Sequence, residues 1–205
     1  LAVTGPRQAG KTTLVQTTFA DKPYVSLEDP EVRDAALSDP RRFLGRFPQG
    51  AILDEVQRAP ELVSYLQTIV DRDRQMGAWV LTGSQQLGLR SQISQSLAGR
   101  VGLLELLPFT LGELQSAGRA IASLEDLLWR GLYPPPMDRG IVPGIWLTDY
   151  FGTYVERDLR QLLNVRDLQT FRTFVRMCAA RTSQVLRDAE IANVPFMASA
   201  DGMQC

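Results

Sequence analysis

Eight residues near the start of the chain, Gly5-Pro6-Arg7-Gln8-Ala9-Gly10-Lys11-Thr12, restrict what it can fold into more than any other feature. They stand between a short apolar run, 1–4, and a stretch that carries Leu14, Val15 and Phe19 at helical spacing. Gly5 and Gly10 allow the backbone to turn tightly enough to aim successive N–H groups inward, and a helix starting near Lys11 adds its positive end. The product is an anion cradle between a strand and a helix. Such a cradle works at the carboxyl edge of a parallel sheet, so the rest of the chain has to supply one.

It does so in alternating form. Short apolar runs predict five strands at 1–4, 24–27, 51–53, 79–81 and 101–106, with intervals long enough for crossover helices. Leu62, Leu66, Ile69 and Val70 share one helical face, and Asp29-Pro30 and Asp39-Pro40 each read as an N-cap followed by proline at the first helical position. After Pro108 the strand pattern stops, and helical patterns follow at 111–116, 124–129, 146–163 and 168–181. Tyr133-Pro134-Pro135-Pro136 reads as an extended, stiff connector within that part. The expected architecture is α/β, a P-loop NTPase with a five-stranded parallel sheet and flanking helices, followed by an α-helical lid. The expected domains are a core at 1–106, a helical lid or second domain at 107–192, and an irregular tail at 193–205.

Composition narrows the chemistry. The 205 residues include no histidine, which removes Ser-His-Asp and Cys-His nucleophile systems and the His-containing zinc sites. Catalysis must use carboxylates, Lys, Arg and hydroxyls. Formal charge is -1, from 22 basic and 23 acidic residues, so no global positive field draws the chain to nucleic acid or to an anionic membrane. Direct DNA binding is not expected, although Arg172, Arg176 and Arg187 can form a local patch. The two cysteines, Cys178 and Cys205, make no disulfide framework and suit a reducing cytoplasmic location, with Cys178 read as a buried structural thiol. No apolar stretch is long enough for a membrane span. A first residue that is Leu1 and already belongs to a strand suggests a trimmed start.

The eight residues match G-x-x-x-x-G-K-[ST], the P-loop pattern. Residues Gly5, Pro6, Arg7, Gln8, Ala9 and Gly10 would wrap the phosphates, Lys11 would reach the β- and γ-phosphates, Thr12 would ligate magnesium (Mg2+), and Thr13 lies beside it. Ala51-Ile52-Leu53-Asp54-Glu55 ends an apolar run in two carboxylates. Taken alone these would be ordinary helix caps. After a P-loop, Asp54 can hold Mg2+ and Glu55 can polarise the attacking water, because neighbours on an extended chain point to opposite sides. The next strand ends Leu81-Thr82-Gly83-Ser84-Gln85, placing hydroxyls and an amide at the same edge, where Ser84 is a candidate sensor of the γ-phosphate or, equally, the cap of a turn. Arg100, at the end of Ser96-Leu97-Ala98-Gly99-Arg100, is a candidate arginine finger acting in cis or toward a neighbour, weighed against an ordinary surface ion pair. Arg157, between Glu156 and Asp158, is a weaker one.

In order along the chain, the P-loop, Ile52-Leu53-Asp54-Glu55-Val56-Gln57, Leu81-Thr82-Gly83-Ser84-Gln85 and Ser96-Leu97-Ala98-Gly99-Arg100-Val101 resemble a large family of bacterial and archaeal predicted ATPases of the AAA+ superfamily. The likeness continues through Leu106-Leu107-Pro108-Phe109, Gly131-Leu132-Tyr133-Pro134 and Tyr154-Val155-Glu156-Arg157-Asp158. The resemblance implies a sensor strand between the P-loop strand and the Asp-Glu strand. It also implies a helical lid, a winged-helix segment beginning near 187–192 and a further domain. Trp146, Tyr150, Phe151 and Tyr154 read as lid core in preference to a base-stacking platform. The function expected is hydrolysis of MgATP to ADP and phosphate coupled to conformational change. A nucleotide-gated switch with little hydrolysis and a P-loop small-molecule kinase are the alternatives, and a homo-oligomer or a partner protein is left open.

Overall fold

The computed structural model describes residues 1–73, 75–84, 96–119, 121–155 and 168–182. Gln85, Arg157, Arg187, the anticipated winged-helix start, the tail from 193 and Cys205 lie outside the described residues, as does 156–163 of the anticipated long lid helix. The chain forms two compact units, Leu1–Leu147 and Thr148–Cys205.

The first unit is built on five strands, β1 (Ala2–Gly5), β2 (Tyr24–Ser26), β3 (Ile52–Asp54), β4 (Val80–Ser84) and β5 (Leu103–Glu105), all parallel and ordered β2-β3-β4-β1-β5. The apolar runs are continuous because both sheet faces are covered, so each alternate residue enters one of two cores. Val3, Ile52 and Val80 pack with Val15 of α1 (Lys11–Thr18). Ala2, Leu53 and Leu81 face the other way, toward Ala36 of α2 (Pro30–Ser38), Phe43 and Leu44 of α3 (Pro40–Gly45), and Leu62, Val63 and Leu66 of α4 (Leu62–Asp73). Asp29 accepts from the amides of Glu31 and Val32, and Asp39 from that of Arg42, each with proline opening the helix that follows. β5 is an edge strand, and Leu103 and Leu104 are exposed.

Four short helices follow: α5 (Leu111–Ser116), α6 (Leu124–Arg130), α7 (Pro134–Asp138) and α8 (Pro143–Tyr150). Thr110 and Glu113 close a capping box at the start of α5. The extended connector anticipated at Tyr133-Pro134-Pro135-Pro136 is instead the first turn of α7. The amides of a first helical turn have no acceptor within the helix, so the N–H groups that three prolines lack are not missed there. Sequence placed a domain boundary at 106, where strands end. Compactness carries the first unit on to Leu147, and the next section gives the contacts responsible.

In the second unit a π-turn (Phe151–Val155) precedes a gap in the described residues and α9 (Leu168–Ala180). Phe151 and Phe171 stack with centroids 6.2 Å apart and planes 4° from parallel, in keeping with a packing role for Phe151. Cys178 is half-buried, not buried as anticipated, although it lies two turns after the buried Phe171 on the same face of α9. No helix among the described residues is long and apolar enough to cross a membrane.

Candidate nucleotide site

Strand register brings the candidate residues to one edge. Gly5 at the end of β1 pairs with Ser84 at the end of β4, and Ser26 pairs with Asp54 at the end of β3. Parallel strands end together, so the loop after β1, the carboxylates after β3 and the hydroxyl ending β4 meet at the carboxyl edge.

The loop needs its glycines. At Gly5, with φ +150°, a β-carbon would come within 2.0 Å of the Leu106 carbonyl oxygen, so nothing larger fits between β1 and the segment leaving β5. Gly10 takes a left-handed φ of +97° as N-cap of α1, which turns the chain straight from the loop into the helix. Gln8 is also left-handed, at φ +59°, without a glycine's freedom. Its side-chain oxygen accepts from the Trp146 indole N–H at 3.0 Å, and the Tyr133 ring lies against that indole at 5.1 Å between centroids. Pro134 stands beside Gly10. Helices α7 and α8 thus rest on the loop itself, which is why the first unit runs past residue 106.

Lys11 lies within the loop, only 6 % exposed, and its Nζ donates to the carbonyls of Pro6 at 2.8 Å and Gly5 at 3.1 Å. Burial pulls its pKa below the ordinary lysine value. Glu55 and then Asp54 pull it back up, while the Arg7 charge acts in the same sense as burial.

Asp54 is buried and accepts from three hydroxyls. Thr12 Oγ1 lies 3.2 and 3.1 Å from its two oxygens, Tyr24 donates at 2.6 Å, and Thr82 donates as well. Thr82 also accepts from the Glu55 amide at 3.3 Å and so ties β4 to the turn that carries the second carboxylate. A carboxylate beside a threonine hydroxyl is a hard-oxygen donor pair of the sort Mg2+ takes together with phosphate oxygens, so these residues fit that cation. Glu55 takes a left-handed φ of +58°, and its carboxylate accepts from Gln57 Nε2, which donates also to Ser84 Oγ at 3.1 Å. Ser84 is buried.

Arg100 is elsewhere. Its guanidinium pairs with Asp71 and donates to the Ala98 carbonyl at 3.0 Å. It precedes β5, and the residues just after it pair with the start of β1, since the Ala2 amide donates to Gly102 O at 2.8 Å. That is the amino edge of the sheet, since parallel strands put everything before β5 opposite the loop after β1. Of the alternatives weighed for Arg100, the structure shows the surface ion pair and does not bring the side chain to the loop in cis.

Three contacts at the candidate site escaped the sequence reading: Tyr24 on Asp54, Gln57 between Glu55 and Ser84, and Trp146 on Gln8. Only the first had a signal. Tyr24 pairs with Ile52, two residues before Asp54, which places its phenol on the diagonal a long side chain can span. Burial, then the bond to Asp54, raise the Tyr24 pKa above its ordinary value of 10.0. A phenol held protonated in the fold gives stability that is complete below pH 10.0 and declines as pH rises beyond it. Tyr24→Phe is therefore expected to flatten the alkaline fall of the urea midpoint, and a profile unchanged between pH 8 and 11, on the order of that pKa, would count against the Tyr24–Asp54 bond.

A glycine-turned loop with an enclosed lysine, facing a threonine–aspartate pair across a parallel sheet in which β4 separates β1 from β3, defines a P-loop NTPase. The chain belongs to the AAA domain family, whose model matches residues 1–115, and that family is one of ATPase-like nucleotide-binding domains. Residues 121–201 match a domain of unknown function, DUF8612. Two mycobacterial proteins, the uncharacterized protein Mb2031c of Mycobacterium bovis and the uncharacterized protein Rv2008c of Mycobacterium tuberculosis, are each 35% identical to it over 194 residues. The match takes in 93% of this chain but only 43% of either relative, so the chain spans less than half the length of these relatives.

Proposed function

We propose that this chain binds ATP with Mg2+ at the loop of residues 5–13 and hydrolyses it to ADP and phosphate. The observation that carries the reading is the Thr12–Asp54 contact at 3.1 Å, with Glu55 next in the chain, since it sets a cation-holding pair beside a separate base. Lys11 would exchange its carbonyl partners for β- and γ-phosphate oxygens, keeping a buried charge paired. Ser84 would donate to the γ-phosphate. Glu55 would take a proton from water as the new bond to phosphorus forms and the bond to the bridging oxygen breaks. Thr12 and Asp54 would hold Mg2+, which when bound offsets the charge that spreads over the phosphate oxygens.

Trp146 supports the coupling to conformational change, because a loop that must fit phosphates is bonded through Gln8 to α8. The same contact is what a nucleotide-gated switch would use, and it keeps that reading as the second one. Arg100, paired with Asp71 at the amino edge, matches the ordinary surface ion pair weighed for it, and as a finger it could act only toward a neighbouring copy's nucleotide. The test is phosphate release from ATP by the purified chain, with Mg2+ and after EDTA. Release that EDTA abolishes is expected. Binding of a fluorescent ATP analogue without release would overturn hydrolysis in favour of the switch, and a small molecule that accepts the phosphate would point to a kinase.

A further inference from the structure

We propose that Gln57 is a positioning residue that sets the proton directions of both Ser84 and Glu55, an inference that rests on the hydrolytic reading above. The chain leaves β3 through the left-handed Glu55 and enters a single 3-10 turn, Val56–Arg58. Val56 and Ala59 are wholly buried and pin the turn to the core, so the side chain two residues after Glu55 is held against the end of β4. From there Gln57 Nε2 reaches Glu55 Oε2 and Ser84 Oγ together, the latter at 3.1 Å.

The amide can face only one way. An ionised carboxylate accepts and never donates, so the NH₂ end must point at Glu55 and its second hydrogen is then directed at Ser84. Each bond has a consequence for the partner. Ser84 Oγ is occupied as an acceptor, so its own hydrogen turns outward, where an anionic phosphate oxygen can receive it. Glu55 is held by one oxygen, which leaves the other to take a proton from water. Gln57 Oε1 is meanwhile buried with no hydrogen-bond partner among the described residues. A side chain retained for packing alone would be better apolar at that point, since an unpaired buried carbonyl works against folding. What the amide supplies is its two donors, and they join the group that meets the γ-phosphate to the group that meets the water.

Gln57→Leu keeps the volume and removes both donors, and Gln57→Glu keeps the shape while offering none. Both are expected to lower kcat about 10- to 100-fold, with the Kd for a fluorescent ATP analogue unchanged within about twofold, because misdirecting reacting groups costs turnover and not ground-state binding. Ser84→Ala should cost several-fold less in the Gln57→Leu background than in the parent chain, as expected of residues acting through one another. If the parent turns over and Gln57→Leu matches it in kcat, or loses affinity and melting temperature in step with kcat, Gln57 is a packing residue and the inference is wrong. If the parent chain binds the analogue but releases no phosphate while Gln57→Leu binds equally, it is the hydrolytic reading that has failed, and this inference falls with it.

Discussion

Glu55→Gln should bind ATP as tightly as the parent chain while phosphate release falls by about 10²- to 10⁴-fold, the range a positioned base contributes. The two side chains have the same shape, and the glutamine oxygen still accepts from Gln57 Nε2, so the turn after β3 has no reason to move. What is lost is the ability to take a proton. Lys11, Thr12 and the loop amides are untouched, and these are the groups expected to meet phosphate. The measurement is phosphate release beside titration of a fluorescent ATP analogue. A variant that still hydrolyses as the parent does would show that Glu55 is not the base, and one that no longer binds would mean that it shapes the cradle.

Lys11→Met is expected to weaken ATP binding by about 10²- to 10³-fold, equivalent to roughly 3 to 4 kcal/mol, because it deletes charge-assisted bonds to two phosphates. Folding stability should not suffer with it. The ammonium is buried against two carbonyls, and burial holds its pKa below the ordinary 10.5. A lysine whose pKa is lowered by folding binds its proton less well in the native chain than in the unfolded one. Its share of stability is therefore smallest below the native pKa and grows as pH rises toward 10.5. At neutral pH the variant should melt no lower than the parent, and in alkali its advantage should shrink. A variant that binds as the parent does would remove Lys11 from the site, and one that melts lower would show that the lysine holds the loop together.

Much of this was open to sequence because P-loop chemistry is local. Gly5, Gly10, Lys11 and Thr12 are close in the chain and their backbone demands are specific, and Asp54 and Glu55 announce themselves by ending an apolar run. The strand pattern survived because both faces of a parallel sheet are buried, and the Asp-Pro pairs because a cap and a proline act within one turn. What stayed hidden depends on register or on distant contacts. Nothing near Gln57 shows that β4 will bring Ser84 to it, and nothing near Trp146 shows that Gln8 will meet it, 138 residues away. The run Pro134-Pro135-Pro136 misled because proline excludes the middle of a helix and not its first turn. The place of Arg100 was legible but not drawn, since a residue that leads into a strand of a parallel sheet lies at the amino edge, opposite the loop that follows β1.

That last placement bears on symmetry. The phosphate cradle and Arg100 occupy opposite ends of the same five strands. Two copies stacked end to end about a twofold axis would set like edges together, whereas two lying side by side and antiparallel about such an axis would set each cradle beside the other's Arg100 end. One copy's guanidinium could therefore approach another's phosphates either in an antiparallel pair, reciprocally, or where copies follow one another head to tail. The pair is closed at two members, while the head-to-tail arrangement closes into a ring or continues as a filament, and in each case a member inside the assembly both gives and receives a charge.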